Sequence, residues 1–269
     1  MPLPAPASFW LLGVRLDPLS EEDLLRRLEL HLFDSHGLLT VTTVNAECIA
    51  LANRDPRYRQ TINSSSLNLI DGAGINLAAR LRGLGPFPRL PGADLIYTLA
   101  QQCQQHNLRL FLLGGAPEVA QAAGQRLQSL YPGLEIAFYS PLRLSEESGL
   151  DESQPIFDLL EEFSPHVLYV ALGMPKQEKW IALQREQMEK MGVRLAIGVG
   201  GALDYISGRV PRAPRLWRRL GLEWLFRLLR QPRLRLRRQA ERLSWFAVAA
   251  FMEALRLRWR KMGRPAAGR

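Results

Sequence analysis

Cysteine is scarce in this chain: 269 residues hold two, Cys48 and Cys103. They lie far apart, form no C-x-x-C pair and have no metal-type Cys/His spacing. A disulfide framework is therefore excluded, and a reducing compartment is expected. No uncharged apolar run reaches about 18 residues, which argues against a transmembrane helix. The first twelve residues lack both a basic start and a long apolar stretch, so no secretory signal is expected. A G-x-G-x-x-G fingerprint and a Walker loop are absent too. The first absence counts against a nicotinamide-dependent oxidoreductase.

Charge of one sign is unevenly spread. Residues 209–269 carry 17 Arg and one Lys against Glu223, Glu241 and Glu253, a net +15. Residues 1–208 carry 17 basic and 23 acidic residues, a net −6. A mildly acidic body thus precedes a strongly basic tail. Such a tail calls for a polyanionic partner: nucleic acid, an anionic membrane or a phosphorylated ligand.

The body alternates strand and helix patterns about six times, which predicts a parallel sheet covered by helices on both faces. Phe9–Leu16 reads as one short strand, and Ser20 with Asp23 caps the helix after it. Polar and glycine-rich residues recur just after the strands: Thr43 and Asn45, Asp71, Gly114 and Gly115, Gly173 to Lys179, and Gly200 and Gly201. In an open α/β sheet these positions gather at one edge, where ligands bind. Asp71 follows the apolar run Leu67–Ile70, and a carboxylate there suits a general base; Asp71-Gly72 is equally a plain turn signal. Asn45 at the next junction is by itself an ordinary helix N-cap. Gly114-Gly115 before Pro117 makes a plausible phosphate cradle at a helix N-terminus.

After Gly208 the strands stop. Pro211, Pro214 and Pro232 punctuate Arg-rich helical stretches with Trp217, Trp224 and Phe226 beside the arginines. The division expected is an α/β domain over residues 1–208 and a helical appendage over 209–269. The last helix, from Leu234 to about Met262, has an apolar middle, Leu243 to Leu255, roughly 20 Å long, which is too short to span a bilayer. Its basic flanks and aromatics suit a helix lying on an anionic membrane. The alternative is an amphipathic helix packed on the body or on a second subunit.

The ordered motifs Thr43/Asn45, Asp71-Gly72-x-Gly74, Arg89-x-x-Gly92-x-Asp94, Gly173-x-Pro175-Lys176-Gln177-Glu178, Gly198-x-Gly200-Gly201-Ala202 and Arg212-Ala213-Pro214 with Gly221-Leu222-Glu223-Trp224 resemble the WecG/TagA/CpsF glycosyltransferases, over about Phe9 to Arg238. The resemblance implies a Rossmann-like body and an inverting transfer, without a metal or other cofactor. The sugar would move from a UDP-sugar to a polyprenyl-diphosphate-linked sugar, in assembly of a bacterial cell-envelope polysaccharide such as an exopolysaccharide. N-acetylmannosamine-type and glucosyl donors stay open. Asp71 would be the catalytic base, with Thr43 and Asn45 in its pocket. Arg89 and Gln177 would contact substrate, and Gly114, Gly115, Gly200 and Gly201 would let backbone amides approach the nucleotide. Arg227, Arg233 and Arg237 would meet the diphosphate as the appendage closes, with Arg235 an alternative to Arg233. The chain has no Asp-x-Asp, the usual holder of a metal in such transfers, and arginines suit that task. The implied setting is the inner face of the cytoplasmic membrane, peripherally bound, with a homo-oligomer possible in solution. The competing reading is a non-catalytic nucleic-acid binder that uses the tail; the resemblance implies no nucleic-acid partner.

Overall fold

Short apolar runs bounded by glycine, proline or polar residues become the strands of one six-stranded parallel sheet. The computed structural model describes residues 7–34, 37–141 and 150–262; residues 263–269 of the appendage expected from the sequence lie outside these. The sheet strands are β3 (Leu39–Val44), β4 (Leu67–Ile70), β5 (Leu110–Gly114), β6 (Ile136–Tyr139), β7 (Val167–Ala171) and β8 (Leu195–Gly198), in the order β4-β3-β8-β7-β5-β6. The parallel Rossmann-like body expected from the sequence is what forms.

Alternation along the strands assigns side chains to two layers. Leu110, Leu112, Val167, Tyr169, Leu195 and Ile197 face one core, covered by α1 (Glu21–Asp34), α5 (Gly92–Gln105), α6 (Pro117–Leu130) and α10 (Ala202–Ile206). Phe111, Leu113, Leu168, Val170 and Ala196 face the other side, against Ile156, Phe157 and Trp180. These come from α7 (Leu150–Phe163) and α8 (Lys176–Leu183). Near β3 and β4 that second layer is built from α2 (Ala46–Arg54), α3 (Pro56–Ser64) and α4 (Ala73–Leu81).

Two local expectations change. Phe9–Leu16 is a hairpin, β1 (Phe9–Leu11) paired antiparallel with β2 (Val14–Leu16). Leu12 and Gly13 both have positive φ, 51° and 78°, so the chain reverses in two residues. The sequence predicts a helix after the Gly173–Lys179 stretch, running to Lys190; the helix begins earlier, at Lys176, and breaks at Gln184 into α8 and α9 (Arg185–Lys190). The expected cap at Ser20 forms: its hydroxyl lies 2.7 Å from the Asp23 carboxylate and accepts the Asp23 N–H at 3.0 Å.

The tail folds as α11 (Arg215–Arg219), α12 (Glu223–Arg230) and α13 (Pro232–Met262). Pro232 starts α13 two residues earlier than expected; proline suits a first helical turn, where its missing N–H has no partner to lose. One face of α13 packs on the body, burying Phe246 and Ala250 with Ile75 and Ala78 of α4 and Ile49 of α2. Glu47 anchors one end, accepting from Gln239 at 2.9 Å and Arg242 at 3.4 Å. Glu253 anchors the other, accepting the Leu12 N–H at 3.1 Å and pairing with Arg82 at 3.3 Å. The opposite face bares Val248, Phe251, Met252 and Trp259. The apolar middle of the last helix therefore serves two surfaces. No helix among the described residues is long and apolar enough to cross a membrane.

Gly114 closes β5 with φ +106°, and a Cβ there would stand 2.6 Å from the Ala171 carbonyl oxygen of the neighbouring strand. Gly114→Ala is expected to cost about 3 kcal/mol of stability, read as a lower urea midpoint at unchanged m-value.

Candidate active site

The register of the sheet aligns its strand ends. Val44 of β3 pairs with Ile70 of β4, and Gly198 of β8 stands beside Thr42 on one side and Val170 on the other. The residues that follow these ends share one edge. Asp71 is held there by its own N–H, which donates to the Val44 carbonyl at 2.9 Å. Its carboxylate accepts no hydrogen bond from any described residue. It opens into a cavity of about 1100 Å³, with Thr43, Asn45, Arg89 and Gln177 also in its wall.

Several of these neighbours are already engaged within the protein. The Thr43 hydroxyl donates to the Gly198 carbonyl at 3.0 Å. Asn45 is the N-cap of α2, its side chain accepting the Cys48 N–H at 3.1 Å. Gln177 uses both ends of its amide: the oxygen accepts the Gly200 N–H at 2.8 Å, and the nitrogen donates to Glu178 at 2.6 Å. It thereby sets the shape of the Gly200–Gly201 turn. Gly115, Gly200 and Gly201 line the cavity; Gly114 lies beneath it against β7. Glu178 is buried under the site, and burial pushes its carboxyl up to about 6. The Tyr58 hydroxyl donates to it at 3.3 Å.

The appendage closes the open side. Arg89 donates to the carbonyls of Arg218 and Arg219 at 2.9 and 3.0 Å, tying the end of α11 to the body. Arg212 bridges Asp94 at 2.7 Å and Glu223 at 3.4 Å. At the turn between α11 and α12, Gly221 comes so near α4 that an added Cβ would stand 2.1 Å from the Ala73 Cβ. Arg227 pairs with Asp204 at 2.6 Å and lies over the Tyr205 ring at 4.7 Å.

Six appendage arginines line the cavity: Arg215, Arg218, Arg219, Arg227, Arg238 and Arg242. Arg215 and Arg219 meet no carboxylate among the described residues. Arg233 and Arg237, expected at the diphosphate, are exposed and outside the lining. The helix register explains this. Gln239 is buried against Glu47, and Arg237, two residues earlier, points about 200° away round the helix. The Arg235 side chain lies outside the described residues. Arg233/Arg237 and Arg238/Arg242 are both i,i+4 arginine pairs, so the spacing in the sequence did not mark which pair lines the wall. Nor did it mark Glu47, in the first turn of α2.

Asp71 is electrostatically poised. Burial pushes its carboxyl up to about 7, and the nearby carboxylates of Glu223 and Asp94 raise it further against the opposing pull of Arg89 and Arg212. Such a group takes a proton readily at neutral pH. Among the described residues, no group of three or more His, Cys, Asp or Glu side chains is arranged to hold a metal ion.

A carboxylate of this kind, facing arginines at the strand ends of a parallel sheet, suits transfer of a group that leaves as an anion. The sequence model of the Glycosyl transferase WecG/TagA/CpsF family matches residues 9–260. The chain belongs to this glycosyltransferase family. A Bacillus spizizenii protein named N-acetylglucosaminyldiphosphoundecaprenol N-acetyl-beta-D-mannosaminyltransferase is 32% identical over 205 residues, 76% of each chain. A Staphylococcus aureus protein of the same name is 29% identical over 221 residues, 81% of this chain and 83% of its own. The transferase thus shares with them most of its length, and the resemblance read from the motifs holds.

A pH titration of the transferase with carbon-labelled aspartate, followed by NMR, is expected to show one Asp inflecting near 7. Glu223→Gln removes one of the charges that raise it, so the inflection should move to lower pH. An unmoved inflection would remove Glu223 from this role.

Proposed function

We propose that this transferase moves a sugar from a UDP-sugar to the hydroxyl of a polyprenyl-diphosphate-linked sugar, with inversion and without an essential metal. The observation that carries the reading is one cavity with Asp71 on its wall and six appendage arginines around it. Asp71 accepts the proton of the acceptor hydroxyl. The hydroxyl oxygen bonds to the anomeric carbon from the face opposite the leaving group, and the bond from that carbon to the UDP oxygen breaks. UDP departs with the electron pair, and the arginines neutralise its growing charge. Arg215 and Arg219, which meet no carboxylate among the described residues, are suited to this task. Gln177 keeps the Gly200–Gly201 turn in the form that lets backbone approach the nucleotide.

The names of the relatives favour an N-acetylmannosaminyl donor over a glucosyl one, and an acceptor of the N-acetylglucosaminyl-diphosphoprenol type. In this reading residues 209–269 form the unit that closes the site and rests on an anionic membrane. Leu216, Leu220, Trp224 and Leu229 are bare on α11 and α12 among arginines, a pattern that suits a lipid interface. That so many tail arginines turn into the cavity counts against the nucleic-acid reading, which needs them on an open face.

The test is transfer from a panel of UDP-sugars to a short-chain prenyl-diphosphate N-acetylglucosamine, in the presence of EDTA. UDP release with a glycosylated lipid product is expected, fastest with the N-acetylmannosamine donor. Asp71→Asn should lower kcat by about 10²–10⁴-fold. Transfer that needs an added divalent ion would end the metal-free reading, and an active Asp71→Asn variant would end the assignment of the base.

A further inference from the structure

The cavity is not uniform along its length. One end holds Asp71 and the α11 arginines, and Arg238 and Arg242 stand further along the wall on α13. The lining also has an apolar part: Leu77, Ala78 and Leu81 from α4, and Leu243, Ala247 and Phe251 from α13, two helices that share a core through Ala78, Phe246 and Ala250. The spacing Leu243, Ala247, Phe251 is one helical stripe, and Gly74, Ala78, Leu81 is another. Between the stripes lies a buried floor of Ala250 and Phe246, which are 2% and 5% exposed. The rims are bare, Leu77 at 64% and Phe251 at 52%. Near the catalytic end the floor is set by Gly74, where an added Cβ would lie 3.4 Å from the Ala46 Cβ and 3.6 Å from the Phe246 ring.

Two large apolar side chains flanking a channel that continues into an arginine-rich site call for a ligand with one apolar and one anionic part. From Gly74 to Leu81 the slot runs roughly 10 Å, the length of about two isoprene units. Its depth is kept by small residues, because Ala247 and Ala78 leave room that leucines there would fill. Arg238 and Arg242 share the single carboxylate of Glu47, at 3.5 and 3.4 Å, so positive charge is left over at the mouth.

We propose that the α4–α13 slot holds the first isoprene units of the prenyl-diphosphate acceptor, with Arg238 and Arg242 meeting its diphosphate where the slot opens into the catalytic cavity. This rests on the transferase reading for the identity of the acceptor. It adds that the enzyme grips the lipid tail itself, so the acceptor need not be presented by the bilayer alone. Apolar burial then makes affinity depend on tail length only until the slot is full.

The experiment is calorimetric titration of the full chain with prenyl diphosphates of five, ten, fifteen and twenty carbons, each below its micelle-forming concentration. Affinity is expected to rise at least tenfold from five to ten carbons, which fill the slot, and then level off. Ala247→Trp fills the slot from an exposed helix position, so it should abolish that rise. Leu77→Ser removes one rim and should reduce the rise. Affinity independent of tail length, or an undiminished rise in Ala247→Trp, would overturn the slot. So would an Ala247→Trp variant that loses binding to phosphatidylglycerol vesicles while keeping the rise, because the groove would then be a bilayer contact. Graded prenyl binding without transfer from any UDP-sugar would keep the slot and remove the transferase reading. Transfer with flat binding would do the reverse.

Discussion

Like charges must be neutralised before they can be folded over a cavity, and this constraint organises the transferase. The appendage brings 18 basic side chains and three acidic ones. Where it meets the body, carboxylates are waiting: Asp94 for Arg212 and Arg218, Asp204 for Arg227, and Glu47 for Arg238 and Arg242. Three carboxylates of the body thus stand at the seam with the appendage. These pairs are partly shielded from water, so each holds more firmly than an exposed pair. Asp94 and Glu47 each serve two arginines, whereas removing Asp204 would take from Arg227 its one carboxylate partner among the described residues, leaving a largely buried charge unpaired.

The same carboxylates reach the chemistry. Asp94 and Glu223 hold the appendage through Arg212, and their charges also raise the affinity of Asp71 for a proton. Glu223 travels with the appendage. When the appendage sits on the body, Asp71 feels both this negative charge and the shielding that burial brings. The residues that seat the appendage on the body are thus the ones whose charges raise the proton affinity of Asp71.

Much of this was legible in the sequence, for physical reasons. Leu67–Ile70 reads as a buried strand because four apolar or enclosed residues end at a turn, and strand β4 has those bounds. The gathering of Thr43, Asn45, Asp71, Gly115 and Gly200 follows from parallel topology alone, which puts every strand's end on one edge. What sequence could not give was azimuth and partner. Arg233 and Arg237 are as basic as Arg238 and Arg242, and only the seating of Gln239 on Glu47 decides which pair turns inward. Gln177 reads as a polar side chain at a site. Its amide is occupied on both sides by Gly200 and Glu178, contacts set by residues distant in the chain or buried beneath it. The hairpin at Phe9–Leu16 was hidden because its reversal uses a leucine at positive φ, which carries no turn signature.

The apolar middle of α13 shows why period decides function here. A helix of uniform apolar content could lie on a bilayer or in a core, and composition does not choose. The seven-residue step from Gln239 to Phe246, and the four-residue steps to Ala250 and Ala254, direct one stripe into the body. The residues between them, Val248, Phe251, Met252 and Trp259, are then forced outward. Of these, Phe251 also lines the cavity, so the bare stripe of α13 meets the cavity wall there. That juncture suits the proposed acceptor, whose charged head and apolar tail would each meet a matching surface.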